Sequence, residues 1–199
     1  MRKLLTLNKQ GKLALRSGDG SETVIPRPRS NVLLLLDTSG SMAGDKLEQA
    51  KSGAVDFANS ASAKGYATAL AVFADRAAIV CDPVADSSLL ARKIAKLSVG
   101  IVGGSTDLAA GFVLASKFAA LAAVVVVTDG ASNDNKAAFD SAAILKRRGV
   151  EIICIGTDDA DRAFLALLAT RSELATYVSA ENLRFAMTEA SRMLREDSQ

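Results

Sequence analysis

The chain of 199 residues is 49% hydrophobic and 23% charged, the balance of one ordinary globular domain rather than a disordered segment. It holds no histidine and two cysteines, which excludes a Ser-His-Asp triad, histidine acid–base chemistry, a His-bearing zinc site and a disulfide framework. The net charge of +2 is unevenly spread: residues 1–31 hold seven Lys/Arg against Asp19 and Glu22, so the remainder is net acidic.

No apolar run reaches the roughly 18 residues of a membrane helix. Lys9, Gln10 and Lys12 interrupt any signal-peptide core near the N-terminus, so a cytoplasmic protein is expected. Residues 4–16 alternate weakly about Asn8-Lys9-Gln10-Gly11 and predict a β-hairpin. Residues 17–31, rich in Gly, Ser and Pro, read as a linker. Residues 1–30 are thus set apart as a basic extension, and residues 31–199 as the main domain. The basic arm lacks aromatics to stack on bases, so a solvated edge hairpin is favoured over a nucleic-acid contact.

From residue 32 the pattern changes. Continuous apolar runs at 32–36, 67–73, 124–127 and 150–155 predict buried strands, with shorter candidates at 77–81 and 175–178. Helical spacing occupies 46–63, 87–97, 107–121, 135–148, 161–169 and 181–195. In the last of these, Leu183, Ala186, Met187, Ala190, Met193 and Leu194 form one stripe, so its methionines read as core. Cys81 and Cys154 lie in apolar settings and read as buried strand thiols. Short apolar strands alternating with amphipathic helices imply a Rossmann-like, doubly wound α/β fold, mostly parallel and covered on both faces. The two runs flanking Asp75-Arg76 fit a hairpin that adds an antiparallel edge strand.

Ligands of such sheets bind at the carboxyl ends of the strands. There the sequence VLLLLDTSGSM delivers Asp37, Ser39 and Ser41, and VVVVTDG delivers Asp129. The glycine-rich GIVGGSTDL opens a helix and offers Ser105, Thr106 and Asp107. In an extended turn, residues i, i+2 and i+4 can aim to one side, so Asp37, Ser39 and Ser41 would present hard oxygen donors. Such donors suit Mg²⁺, which binds one or two carboxylates and keeps several waters. Thr106 and Asp129 would complete the surroundings, with Gly40 expected to let the loop turn tightly. If one of the two carboxylates acts only through water, the ion is left electron-poor and open to a carboxylate from elsewhere. The plainer alternatives are a helix cap at Asp-Thr-Ser-Gly-Ser, a tight turn at Thr-Asp-Gly using the freedom of Gly130, and a cap at Asp107.

Together these segments make the chain resemble a von Willebrand factor A domain with a metal-ion-dependent adhesion site. The D-x-S-x-S motif is matched by Asp37, Ser39 and Ser41, the threonine of the Gly-rich loop by Thr106, and the final aspartate by Asp129. Ser105 stands where many members have glycine. The resemblance implies a six-stranded sheet with one antiparallel edge strand. It also implies a non-enzymatic, Mg²⁺-dependent (or Mn²⁺- or Ca²⁺-dependent) protein-binding adaptor whose ion is completed by an Asp or Glu of a partner protein. Lone intracellular members resemble adaptors of AAA+ ATPases, and the chain itself has no P-loop. The competing reading is a Mg²⁺-dependent phosphatase with Asp37 as nucleophile. That chemistry needs a second acid two residues later, where Ser39 stands.

Overall fold

The computed structural model of the protein describes residues 30–130, 132–157 and 160–194, together with three strands nearer the N-terminus. The chain divides into one unit within residues 1–29 and a second within residues 30–198. In the first unit, β1 (Leu4–Leu7), β2 (Leu13–Arg16) and β3 (Glu22–Val24) form an antiparallel sheet in chain order. The expected hairpin is present, with Leu5 opposite Leu15. The third strand lies inside the stretch that reads as a linker: Thr23 and Val24 are β-branched, and three residues are too few to alternate visibly. The turn at 8–11 and most of the Gly/Ser/Pro-rich segment lie outside the described residues.

The second unit is built on a six-stranded sheet. Its strands are β4 (Asn31–Asp37), β5 (Ala67–Phe73), β6 (Ala77–Val84), β7 (Leu121–Thr128), β8 (Glu151–Gly156) and β9 (Ala175–Tyr177). The spatial order is β6-β5-β4-β7-β8-β9, and only the β5–β6 hairpin is antiparallel. Among the described residues, six α-helices complete the unit: α1 (Asp45–Ala63), α2 (Ser87–Ile94), α3 (Leu108–Ala115), α4 (Asn135–Arg147), α5 (Arg162–Leu168) and α6 (Leu183–Met193). They form two layers, in which α1 packs against α2 and α6, and α4 packs against α3 and α5. A strand covered on both faces can be apolar throughout. Val32–Leu36 and Val124–Val127 accordingly have no exposed surface, and Phe57, Phe73 and Phe112 fill the core about them.

The chain runs outward from β4 to β5 and β6 on one side, then returns to add β7 on the other. The boundary between β4 and β7 is therefore the point at which the strand order reverses, where open α/β sheets form their ligand crevice. The predicted helices over 87–97 and 181–195 are each a few residues shorter than expected, ending at Ile94 and spanning Leu183–Met193, and a third differs more. The helix read over 107–121 ends at Ala115, and Leu121 already belongs to β7. The Ala-rich stretch suits either state, and the break is made by Ala120, which adopts a φ of 50°. Both cysteines are buried free thiols, as read from sequence.

Candidate metal centre

Asp37 is the last residue of β4 and Asp129 follows the last residue of β7, so the sheet brings the two acids to one rim. Both are buried, Asp37 with 0% and Asp129 with 1% of its surface exposed. Burying a carboxylate requires donors, and the loops supply them. Asp37 Oδ1 accepts the Ser39 amide at 2.8 Å, and Oδ2 accepts the Thr128 hydroxyl at 2.6 Å. Asp129 Oδ1 accepts the Ser41 hydroxyl at 2.7 Å, and Oδ2 accepts the Lys46 ammonium at 2.6 Å. The Ser39 and Ser41 hydroxyls lie 3.2 Å apart. Since Ser41 gives its one proton to Asp129, the proton between the serines is that of Ser39.

Burial raises the pKa of Asp37 above the usual carboxylate range. The hydrogen bonds from Thr128 and Ser39 oppose the rise, and the charge of Asp129 adds to it. Two buried acids share this rim, and the Lys46 ammonium is paired with one of them, Asp129.

The loop from Ser39 to Gly44 contains a short 3-10 turn, Gly40–Met42, before α1 begins at Asp45. Gly40, expected to make the tight turn, does not adopt a positive φ; Gly44 does, at 75°. Gly130 likewise has no positive φ, and its value is space, since a Cβ there would stand 3.4 Å from Thr106 Oγ1. Thr106, 9% exposed, thus brings its hydroxyl beside the Asp129 turn. All five residues singled out in the sequence converge at this rim. Asp107 caps α3 through the Ala110 amide at 3.0 Å, as the plainer reading had it.

Backbone bonds join the loops. The Gly40 amide donates to Gly104 O at 3.4 Å, Gly100 to Thr38 O at 2.8 Å, and Asn133 to Thr106 O at 2.8 Å. Ser105 is turned aside: its amide donates to Asp75 Oδ1 at 2.7 Å, its hydroxyl bonds the same oxygen, and Asn133 Nδ2 donates to Ser105 Oγ at 2.9 Å. Ser105 is thereby committed to the hairpin tip, leaving Thr106 as the hydroxyl of this loop beside Asp129.

Sequence reading missed Lys46, Thr128 and Asp75. Lys46 carried a signal, since a cation in the first turn of a helix opposes the helix dipole. Thr128 carried one in register, because β4 and β7 pair Leu36 with Val127, which sets 37 beside 128.

Among the described residues, no three His, Cys, Asp or Glu side chains group as a metal cluster. The rim offers instead two carboxylates and three hydroxyls. An all-oxygen set of this kind suits Mg²⁺, Mn²⁺ or Ca²⁺ rather than a soft metal. One of the acids, Asp129, already holds a cation, Lys46. The residues therefore fit a hard divalent ion.

A comparison with curated proteins returns no match. Among solved structures, the von Willebrand factor domain of the pilus tip protein Mfa5 from Porphyromonas gingivalis has a TM-score of 0.73 at 15% identity, covering 86% of this chain and 98% of that one. The mussel byssus proximal thread matrix protein 1, in a form with a zinc-occupied site of this motif, has a TM-score of 0.71 at 19% identity over 83% of this chain. This chain spans 45% of that protein's length. Manganese-loaded TRAP protein of Plasmodium vivax has a TM-score of 0.66 at 18% identity, covering 82% of this chain and 73% of that one. These similarities establish the fold. The family profile of the von Willebrand factor type A domain matches residues 31–191, and the chain belongs to that family.

Proposed function

We propose that the protein is a non-enzymatic, divalent-metal-dependent binding module, in which Asp37, Ser39, Ser41, Thr106 and Asp129 form a metal-ion-dependent adhesion site. The observation that carries the reading is the pair of buried carboxylates, Asp37 and Asp129, facing hydroxyls at the strand-reversal point of the sheet. The expected ion is Mg²⁺, with Mn²⁺ or Ca²⁺ fitting the same donors. When bound, the ion supplies Lewis acidity toward one further oxygen ligand. The residues of the chain orient it: the Ser39 amide and Thr128 hydroxyl fix the Asp37 carboxylate, and Ser41 fixes Asp129. The ligand we propose is an Asp or Glu side chain of a partner protein. The partner class is an AAA+ ATPase system in the cytoplasm, on the resemblance to lone adaptors of this family. Among the described residues, no helix is long and apolar enough to cross a membrane.

The phosphatase reading finds no agent for its acid step. The residue two positions after Asp37 is Ser39, whose amide and hydroxyl are both engaged within the site. Titration of the protein with Mg²⁺ and Mn²⁺ tests the metal reading, with Asp37→Ala as the expected non-binder. Capture of a partner from cell extract, abolished by EDTA and by Asp37→Ala, tests the binding reading. Capture that survives both would overturn it, and turnover of phosphate esters would restore the alternative.

A further inference from the structure

Two threonines stand in the same relation to the two acids of the rim. The register of β4 and β7 sets Thr128 beside Asp37, and the Thr128 hydroxyl bonds that carboxylate. One strand further on, β7 and β8 pair Thr128 with Gly156, and the Thr157 amide continues the ladder by donating to Thr128 O at 3.1 Å. The next pair in that register is Asp129 with Thr157, on strands about 5 Å apart. Their side chains share a face. A Cβ on Gly156 would meet Leu165 of α5, so Thr157, one residue on, turns to the other face, where Asp129 meets Lys46 of α1. Thr157 is 2% exposed. Its amide and carbonyl are paired, the carbonyl with the Ala160 amide at 2.8 Å, yet its hydroxyl has no hydrogen-bond partner among the described residues. A buried hydroxyl without a partner costs stability, and valine would fill the same space without that cost. A second state in which the hydroxyl is used accounts for its presence.

We propose that Thr157 is a positioning residue of the metal-loaded site, whose hydroxyl donates to the Asp129 carboxylate once that group turns toward the ion. This inference rests on the metal-dependent reading above. Asp129 Oδ1 now accepts from Ser41 and Oδ2 from Lys46. A carboxylate has about four lone-pair sites, so a further donor can join without displacing these two. Turning toward an ion held by Asp37, Ser39 and Ser41 redraws the bonds of this carboxylate, and a donor on the β8 side fixes the new orientation. Thr128 braces Asp37 already in the metal-free protein, whereas Thr157 braces Asp129 in the loaded state alone. The two threonines therefore differ in what their loss does. Removing the Thr128 hydroxyl deprives a buried carboxylate of a bond that exists, and removing the Thr157 hydroxyl relieves a group that is unpaired.

The test uses Mn²⁺ as the ion, with free Mn²⁺ read by electron paramagnetic resonance and the stability of the metal-free protein read by urea unfolding. Thr157→Val is expected to bind Mn²⁺ about tenfold more weakly, the effect of removing a group that orients a metal ligand. Its urea midpoint without metal is expected to equal or exceed that of wild type. Thr157→Ser, which keeps the hydroxyl, is expected to stay near wild type in Mn²⁺ affinity. A residue that merely packed the end of β8 would not weaken metal binding while the fold held or gained stability. If Thr157→Val binds Mn²⁺ like wild type, if its midpoint falls, or if Thr157→Ser weakens binding as much as valine does, the role of Thr157 is overturned while the metal reading stands. If the wild type binds Mn²⁺ no better than Asp37→Ala, the metal reading falls and this inference falls with it.

Discussion

The Thr128 hydroxyl donates a 2.6 Å hydrogen bond to Asp37 Oδ2 across the boundary between β4 and β7. Both residues are buried, so the bond offsets part of the cost of placing a carboxylate there. Thr128→Val keeps the shape and removes the donor. The expected loss is about 1–3 kcal/mol of stability, the cost of depriving a buried charge of a partner. Mn²⁺ affinity should fall about tenfold or more, as it does when residues that orient metal ligands are removed. Urea unfolding and Mn²⁺ titration measure the two effects, and Thr128→Ser should recover much of both. An unchanged Mn²⁺ affinity in Thr128→Val would show that Asp37 needs no support from β7.

Asp75 plays a comparable part for the glycine-rich loop. Its Oδ1 takes both the amide and the hydroxyl of Ser105, and these bonds hold its carboxyl below the usual range. Gly103 lies so close, at a φ of 118°, that a Cβ there would overlap the Asp75 carboxylate. Asp75→Ala should release this loop while leaving the melting temperature close to wild type, since Asp75 is exposed. Amide exchange at Ser105 and Asp107 should rise about tenfold or more, to the level of an open loop. The sign with pH follows from the lowered value: the restraint is complete above the ordinary carboxylate range and is lost as pH falls through the lowered one. Exchange rates that match wild type would mean that the Asp107 amide bond to Ala74 O holds the loop by itself.

The architecture and the five candidate ligands were legible because their signals are local. Val32–Leu36 and Val124–Val127 are apolar without alternation, which only a sheet covered on both faces permits. The Asp37 triad and the Thr-Asp-Gly turn sit directly after those runs, so finding the strands located the site. The charge partners were not legible in that way. Lys46 meets Asp129 from 83 residues away, and Ser105 meets Asp75 from 30 away, through loops whose path no periodicity records. Gly40 and Gly130 illustrate a different limit: glycine in a loop suggests a positive φ, but here that freedom is used at Gly44.

Gly53 lies in the middle of α1, facing α6, where an alanine would ordinarily add helix stability. The space is already taken. A Cβ at this position would come 2.7 Å from Met187 Sδ, 3.0 Å from Met187 Cβ and 3.1 Å from Arg184 Cα. The sulfur can move, but the α6 backbone can yield only by shifting the helix. Gly53→Ala should therefore cost about 1–3 kcal/mol, the range for overpacking a close contact. A lower urea midpoint with an unchanged m-value is the expected result. A higher midpoint would mean that α6 adjusts freely and that the propensity gain wins.

Cys154 gives the fold an alkaline limit. It lies on β8 with no exposed surface, and burial pushes its thiol from 9.0 up to about 12. Between those values the unfolded chain sheds a proton that the native state keeps. The stabilisation is therefore fully present below pH 9.0 and is lost as pH rises toward about 12. The slope is at most about 1.4 kcal/mol per pH unit, the worth of one proton. Lysines and tyrosines also titrate in this range, so the comparison must be with Cys154→Ala, which shares them. The alanine variant starts lower because of the cavity it leaves, and that offset should be nearly constant with pH. From pH 8 to pH 10.5 the wild type should lose about 2 kcal/mol more than the variant in urea unfolding. Parallel curves would show that the β8 thiol reaches solvent in the native state. In that case Cys154 would also react with a thiol reagent at pH 8 without denaturant, which a fully buried residue does not do.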